Sequence, residues 1–154
     1  MALTYGAGLV RLRTPKSHCQ GFNSLPLHFL KLLRKTFYMQ TIHWVKSGAN
    51  TWLDFQTFNL STDHGIGVYV IWHAGNPSKV VYVGQGDIAS RLRTHRNNTS
   101  ITSYAKHGTL KVTWARVQPH QLDGVERYLA NTWNPLVGDA HPDVNPIAVN
   151  SPWA

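Results

Sequence analysis

Five side chains able to act on a phosphate ester occur between residues 67 and 126. Tyr69 is the last residue of the tripeptide GVY, and Tyr82 is the first residue of the tripeptide YVG. Arg91 and His95 follow, four residues apart, and Glu126 is the only glutamate in the sequence. A guanidinium can hold a phosphate through two parallel hydrogen bonds, and a histidine can transfer a proton. A carboxylate can bind Mg²⁺ together with water and a substrate phosphate. These residue types indicate phosphate chemistry if the fold brings them together.

Both tyrosines lie in segments that are typical of β-strands. GVYVIWH and VVYVG are rich in β-branched and aromatic residues, and AGNPSK between them favours a loop. The pattern predicts an antiparallel hairpin in which side chains alternate between two faces. Tyr69 then shares a face with Ile71, while Val81 and Val83 face away from Tyr82. Strands paired in register would point both phenols to one side; the alternative is two ordinary strand tyrosines with hydroxyls in water.

A helix is predicted directly after this hairpin, over DIASRLRTHR. The glycines of GQG end the strand, and Asp87 can cap the helix, whose apolar side includes Leu92. Arg91 and His95 share one face because they are four residues apart, and Arg93 points elsewhere. The alternative interpretation of this segment is a solvated cationic surface.

A third strand, TLKVTWARV, and a second helix over PHQLDGVERYLANTW complete the predicted elements. Leu122, Val125 and Leu129 form the apolar stripe of that helix, and Glu126 lies at the edge of the stripe. A carboxylate there is costly to bury unless a cation pairs with it. The alternative is a solvated glutamate that pairs with Arg127. TIHWV and WLDFQTFNL also have strand-like composition, and the proline-containing tail is expected to be extended.

Composition limits the class of protein. A chain of 154 residues is the size of one domain, and its net charge is +8. Six of the basic residues and no acidic ones fall in residues 1–38, which leaves nine basic and seven acidic residues, or +2, for the rest. We therefore expect a basic leader or upstream extension over 1–38 and a functional domain over 39–154. The lone Cys19 predicts a reducing, cytoplasmic location, and no apolar run is long enough to predict a membrane span.

The ordered set of motifs resembles the GIY-YIG nuclease superfamily over residues 65–138. GVY and YVG correspond to the two signature tripeptides, Arg91 and His95 match the helix signature, and Glu126 matches the metal-binding glutamate. Leu129 and Pro135 follow at the spacing that the family pattern expects. The resemblance implies an α/β domain of the α+β type, with a central three-stranded antiparallel sheet flanked by helices.

The resemblance also implies an activity, namely hydrolysis of DNA phosphodiester bonds with one Mg²⁺ or Mn²⁺ ion. Glu126 would bind the metal, Arg91 would stabilise charge on the phosphoryl oxygens, and either tyrosine would orient or deprotonate the attacking water, with help from His95. An unperturbed phenol with a pKa near ~10 is a poor base, so its pKa would have to be lowered. Contacts to the substrate are expected from Gly84, Gln85, Arg93 and Arg96.

Two departures from the family pattern define the alternatives. The stretch from Tyr82 to the helix arginine is one residue short, which makes Arg93 a rival of Arg91, although the spacing to His95 favours Arg91. Gly138 stands where many members carry an asparagine. A non-catalytic nucleic-acid-binding module on the same scaffold is therefore the alternative function. The modest charge of residues 39–154 favours structure-selective cutting of DNA, or delivery by a protein partner, over sequence-specific cutting.

Overall fold

The computed structural model describes residues 38–154, so all of the predicted leader except Tyr38 lies outside the described residues. The described part is a mixed α+β fold. Its strands are β1 (Leu53–Asp54), β2 (Ile66–His73), β3 (Lys79–Asp87) and β4 (Leu110–Arg116). Its α-helices are α1 (Ile88–Arg96), α2 (Thr99–Thr102) and α3 (Leu122–Trp133), with 3₁₀ turns at Ser103–His107 and Pro119–Gln121.

The strands form one antiparallel sheet in the order β1-β4-β2-β3. The three predicted strands are β2, β3 and β4, and the two-residue β1 adds a fourth at one edge. The prediction of strands over TIHWV and WLDFQTFNL was wrong except for Leu53–Asp54. The carboxylate of Asp54 accepts the backbone N–H groups of Gln56 and Thr57 at 2.9 and 3.2 Å, and this turn ends the strand.

The β2–β3 hairpin is in register around the tyrosines and irregular beyond them. Tyr69 pairs with Gly84, Ile71 pairs with Tyr82, and the register then shifts. Val81 is the extra residue of a β-bulge, so it packs in the same core cluster as Tyr69, whereas Val83 packs in the other. The prediction that both valines face away from Tyr82 was therefore wrong for Val81, because the bulge interrupts the alternation.

The prediction that strand β3 ends at the glycines of GQG was wrong, because the strand continues to Asp87. The following helix α1 begins as predicted, because the carboxylate of Asp87 accepts the N–H of Ser90 at 2.7 Å. Ile88 and Leu92 of this helix are fully buried against one face of the sheet. Their burial fixes the side of α1 that is left to face solvent.

Helix α3 covers the opposite face of the sheet. Leu122, Val125 and Leu129 are buried there with Val68 and Val70 of β2, as the apolar stripe predicted. The domain therefore has three layers, with α1 and α3 on opposite sides of the sheet. In the part of the chain that the structure describes, no helix combines the length and the apolar character required to traverse a bilayer.

The tail after α3 is extended, as predicted, and runs along the outer edge of the sheet. The backbone N–H groups of Leu136 and Val137 donate to the carbonyls of Val80 and Val81 at 3.2 and 2.9 Å. These bonds cover part of the free edge of β3 and lead the chain back toward the glycines of that strand.

Candidate active site

One concavity of about 520 Å³ brings together all five side chains that the sequence predicted. They come from β2, β3, α1 and α3. The residues that line it are Tyr69, Tyr82, Gly84, Gln85, Gly86, Arg91, His95, Glu126, Ala140, His141 and Pro142. The site therefore combines residues of four secondary-structure elements with a part of the tail that the sequence did not single out.

The site lies across the outer edge of strand β3. Tyr69 and Tyr82 occupy the α1 side of the sheet, whereas Gln85 is paired with Val68 and faces the α3 side, where Glu126 lies. Groups from the two faces can meet because β3 is the edge strand and carries glycine on both sides of Gln85.

Gly84 is required sterically by the tyrosines. A β-carbon at this position would lie 2.6 Å from Cζ of Tyr69 and 2.8 Å from Cε1 of Tyr82. Gly86 has a φ of +118°, which favours glycine, and the side chain of Arg91 passes over it. The predicted substrate contact by Gly84 stays a prediction, and the packing of both phenols is sufficient reason for a glycine there.

The imidazole of His95 lies beside both phenol rings. Nε2 of His95 lies 2.7 Å from the hydroxyl oxygen of Tyr69, and the ring centroids of His95 and Tyr82 are 4.5 Å apart. The two phenol rings are nearly parallel, with centroids 6.1 Å apart. Burial, assisted by the nearby Arg91, lowers the pKa of His95, so this imidazole is neutral at neutral pH.

The two tyrosines differ in exposure. Tyr69 is 1% exposed and Tyr82 is half-buried. Burial raises the pKa of Tyr69 far above its usual range, and the neighbouring Tyr82 raises it further. Burial and then Glu126 also raise the pKa of Tyr82, although Arg91 acts in the opposite direction. Both phenols are therefore protonated at neutral pH, contrary to the lowered pKa that a phenolate base would need.

Glu126 is a buried carboxylate, only 8% exposed. Its Oε2 accepts a hydrogen bond of 2.9 Å from the side-chain amide of Gln85, which also donates to Asp123. Nδ1 of His141 lies 3.8 Å from its Oε1. Burial raises the pKa of Glu126, while the hydrogen bond from Gln85 and the nearby His141 act against that rise. Gln85 thus links two carboxylates, and its predicted contact with substrate stays a prediction.

The donor set suits a hard divalent cation. Within residues 38–154, no three His, Cys, Asp or Glu side chains are grouped so as to hold a metal ion. Mg²⁺ often uses only one or two carboxylates and completes its shell with water and substrate phosphate. Glu126 lines the cavity, and the amide of Gln85 holds the carboxylate of Asp123 near it. These residues fit an ion of the Mg²⁺ or Mn²⁺ class.

The three arginines of α1 have different surroundings. Arg91 is exposed and lines the cavity, and its guanidinium makes no hydrogen bond or ion pair within residues 38–154. Arg93 donates to the carbonyl of Leu60 at 2.9 Å, and Arg96 donates to Phe55 and Phe58 at 2.8 and 2.6 Å. Neither Arg93 nor Arg96 lines the cavity. Their predicted contact with DNA stays a prediction, and their observed contacts hold the loop that follows β1.

His141 is the site residue that the sequence did not reveal. It lies fifteen residues after Glu126 in a proline-containing tail, and no periodic pattern marks it. Gly138, which stands where the family pattern expects asparagine, has a φ of +96°, and a β-carbon there would lie 3.2 Å from Cε2 of Tyr82. Gly138 therefore packs beside the ring of Tyr82. The polar side chain that the tail brings to the site is His141, three residues later.

Comparison of the chain with protein-family models, with curated proteins and with solved structures finds no match.

Proposed function

We propose that the chain is a metal-dependent endonuclease that hydrolyses DNA phosphodiester bonds in this cavity. The observation that carries the proposal is the convergence of Tyr69, Tyr82, Arg91, His95 and Glu126 on one concavity. The order of its strands and helices, with the tyrosines on a hairpin and the glutamate on the last helix, supports membership of the GIY-YIG superfamily.

Packing alone does not account for this convergence. A buried carboxylate is destabilising unless it is paired with a cation and fully hydrogen-bonded, and Glu126 is held chiefly by a neutral amide. Arg91 lies on the same cavity without an ion-pair partner in the described residues. A phosphate and a divalent ion bound together would complement both groups, because the anion suits Arg91 and the cation suits Glu126.

Each side chain has a distinct role in the proposed reaction. Glu126, near Asp123, would hold Mg²⁺ or Mn²⁺, which when bound polarises the phosphate and stabilises negative charge on its oxygens. Arg91 donates to the phosphoryl oxygens and stabilises the charge that develops there. The half-exposed Tyr82 orients the attacking water from the wall of the cavity.

Tyr69 and His95 can remove the proton of that water without forming a free phenolate. As the water oxygen bonds to phosphorus, its proton passes to the oxygen of Tyr69. The ester bond from phosphorus to the leaving deoxyribose oxygen breaks in the same step, and that oxygen takes a proton from solvent water. The phenol proton moves along the 2.7 Å hydrogen bond to Nε2 of His95. This transfer requires the neutral tautomer of His95 that carries its proton on Nδ1. The lowered pKa of His95 keeps the imidazole in the neutral state that accepts a proton.

A nuclease assay tests the proposal most directly. Linear, nicked, flapped and branched DNA would be incubated with the full chain and either Mg²⁺ or Mn²⁺, with a chelator as control. Cleavage is expected to require the metal and to disappear in Glu126→Gln. Cleavage that survives both the chelator and this substitution would contradict the metal site.

A second candidate function is a non-catalytic nucleic-acid-binding domain that is delivered by a protein partner. The glycine at position 138 favours it, because the family asparagine is missing there. This function predicts DNA binding that weakens steeply with salt and no cleavage with any metal. The same panel of substrates, followed by gel shift, separates the two functions.

A further inference from the structure

The imidazole of His141 has no role in the reaction described above. Its Nδ1 atom is completely buried and finds no hydrogen-bond partner within residues 38–154. It lines the same cavity as the tyrosines, and its nearest acidic neighbour is Oε1 of Glu126, 3.8 Å away. Leaving a buried polar nitrogen without a partner destabilises the fold unless another group occupies the space beside it.

The separation of these two atoms is informative. A distance of 3.8 Å is too long for a hydrogen bond between nitrogen and oxygen, which requires about 2.7–3.2 Å. Bonds from a metal ion to nitrogen and oxygen are about 2.0–2.2 Å each, so two ligand atoms of one ion lie at most about 4.4 Å apart. Nδ1 of His141 and Oε1 of Glu126 are therefore spaced as a pair of metal ligands can be.

The tail is attached to the sheet four residues before His141. The N–H of Val137 donates to the carbonyl of Val81 at 2.9 Å, and Pro142 restricts the chain on the other side. Gln85 fixes Glu126 from the opposite direction by its hydrogen bond to Oε2, which leaves Oε1 directed toward His141. Gln85 thus orients the carboxylate of Glu126 before any ion binds.

We propose that Nδ1 of His141 and the carboxylate of Glu126 are two protein ligands of one divalent cation. This inference rests on the metal site of the proposed function and adds a ligand and a metal preference to it. Imidazole suits transition metals, whereas Mg²⁺ prefers oxygen ligands. The site should therefore bind Mn²⁺ more tightly than Mg²⁺, and His141 should be the cause of the difference.

Mn²⁺ binding to the full chain tests the inference without any substrate. Pulsed electron paramagnetic resonance of the bound Mn²⁺ is expected to show modulation from an imidazole nitrogen. His141→Ala should abolish that modulation and weaken Mn²⁺ binding, measured by calorimetry, at least about tenfold. The same change should have little effect on Mg²⁺ affinity. Persistence of the nitrogen modulation, or unchanged Mn²⁺ affinity, would overturn the assignment.

Two other histidines serve as controls. His95→Gln removes the other imidazole of the cavity, and His120→Ala removes an exposed one outside it. Both variants should keep the nitrogen modulation, and its loss in His95→Gln would overturn the assignment to His141. Thermal unfolding would establish that each variant is folded, and His141→Asn would replace the alanine variant if that one is not.

The inference and the proposed nuclease activity can fail separately. Nitrogen modulation that depends on His141, without cleavage of any DNA, supports the ligand assignment and contradicts the nuclease. Metal-dependent cleavage that disappears in Glu126→Gln, with no nitrogen modulation from His141, supports the nuclease and contradicts the ligand assignment.

Discussion

The hydroxyl of Tyr69 and the imidazole Nε2 of His95 are joined by a hydrogen bond of 2.7 Å, although the two residues are 26 positions apart. This bond connects the buried strand β2 to the half-buried His95 of helix α1. The phenol of Tyr69 stays protonated at neutral pH because its pKa is raised, and its partner, the imidazole of His95, is neutral because its pKa is lowered. The two groups can therefore act together in proton transfer where neither is a strong base alone.

The two tyrosines should respond differently to loss of the hydroxyl. Tyr69→Phe leaves Nε2 of His95 without its partner in a buried site, so we expect a stability loss of about 1–3 kcal/mol and loss of cleavage. Tyr82→Phe removes a half-exposed hydroxyl and should leave stability nearly unchanged. Chemical denaturation and single-turnover cleavage measure both effects. Equal stability losses in the two variants would contradict the different environments of the phenols.

Acid should destabilise the fold through His95. Its pKa is lowered in the folded state by burial and then by Arg91, so the unfolded chain binds more protons below the ordinary value of 6.5. The stabilising contribution of the neutral imidazole is present above 6.5 and is lost as the pH falls through the lowered pKa. Denaturation curves over this range should show a weaker pH dependence for His95→Gln than for the unmodified chain. The same pH dependence of stability in both proteins would contradict the lowered pKa of His95.

Replacing Glu126 with an uncharged residue should abolish cleavage without lowering the stability of the fold. Because burial raises its pKa, the charged carboxylate becomes less favourable in the folded state as the pH rises through that pKa. In a chelator at neutral pH, Glu126→Gln should therefore unfold at the same temperature as the unmodified chain or at a higher one, while metal-dependent cleavage is lost. Gln121→Glu, at the half-buried N-cap of α3, is a control that should retain cleavage. A large fall in unfolding temperature for Glu126→Gln would contradict the cost of burying this carboxylate.

A methyl group at Gly84 should disturb both phenols. Its β-carbon would lie 2.6 Å from Cζ of Tyr69, so Gly84→Ala should destabilise the fold by about 1–3 kcal/mol through overpacking and reduce cleavage. Gly48→Ala is the matched control, because no heavy atom lies within 4 Å of a β-carbon there. Its stability should change by less than about 0.5 kcal/mol. Similar thermal unfolding of the two variants would rule out the tight contact between Gly84 and Tyr69.

Arg91 and Arg96 of α1 should have different roles, because Arg91 is expected to act in catalysis and Arg96 to stabilise the fold. Arg91→Ala removes an exposed guanidinium that lines the cavity, so it should lower the cleavage rate while leaving the unfolding temperature unchanged. Arg96→Ala removes donors to the carbonyls of Phe55 and Phe58, so it should lower the unfolding temperature by releasing that loop. Cleavage at saturating DNA and thermal unfolding of both variants test the division. The reverse pattern would show that the functional arginine had been misassigned.

The amino-acid sequence was sufficient to predict most of the local structure. The composition of the hairpin, the cap at Asp87 and the apolar stripe of α3 are periodic or local signals, and each produced the predicted element. The expectation that strands paired in register would point Tyr69 and Tyr82 to one side is also confirmed. These features were predictable because a few neighbouring residues determine each of them.

Other features depend on backbone pairing between distant segments, which leaves no periodic mark in the sequence. The bulge at Val81 and the continuation of β3 through Gly84 follow from pairing with β2. The recruitment of Arg96 to the loop after β1 follows from where α1 lies on the sheet. His141 reaches Glu126 because the tail forms hydrogen bonds along the edge of β3. The sequence determined which residue types were available to the site, and tertiary pairing decided which of them met, because side chains from separate elements converge only when the backbone path between them is fixed.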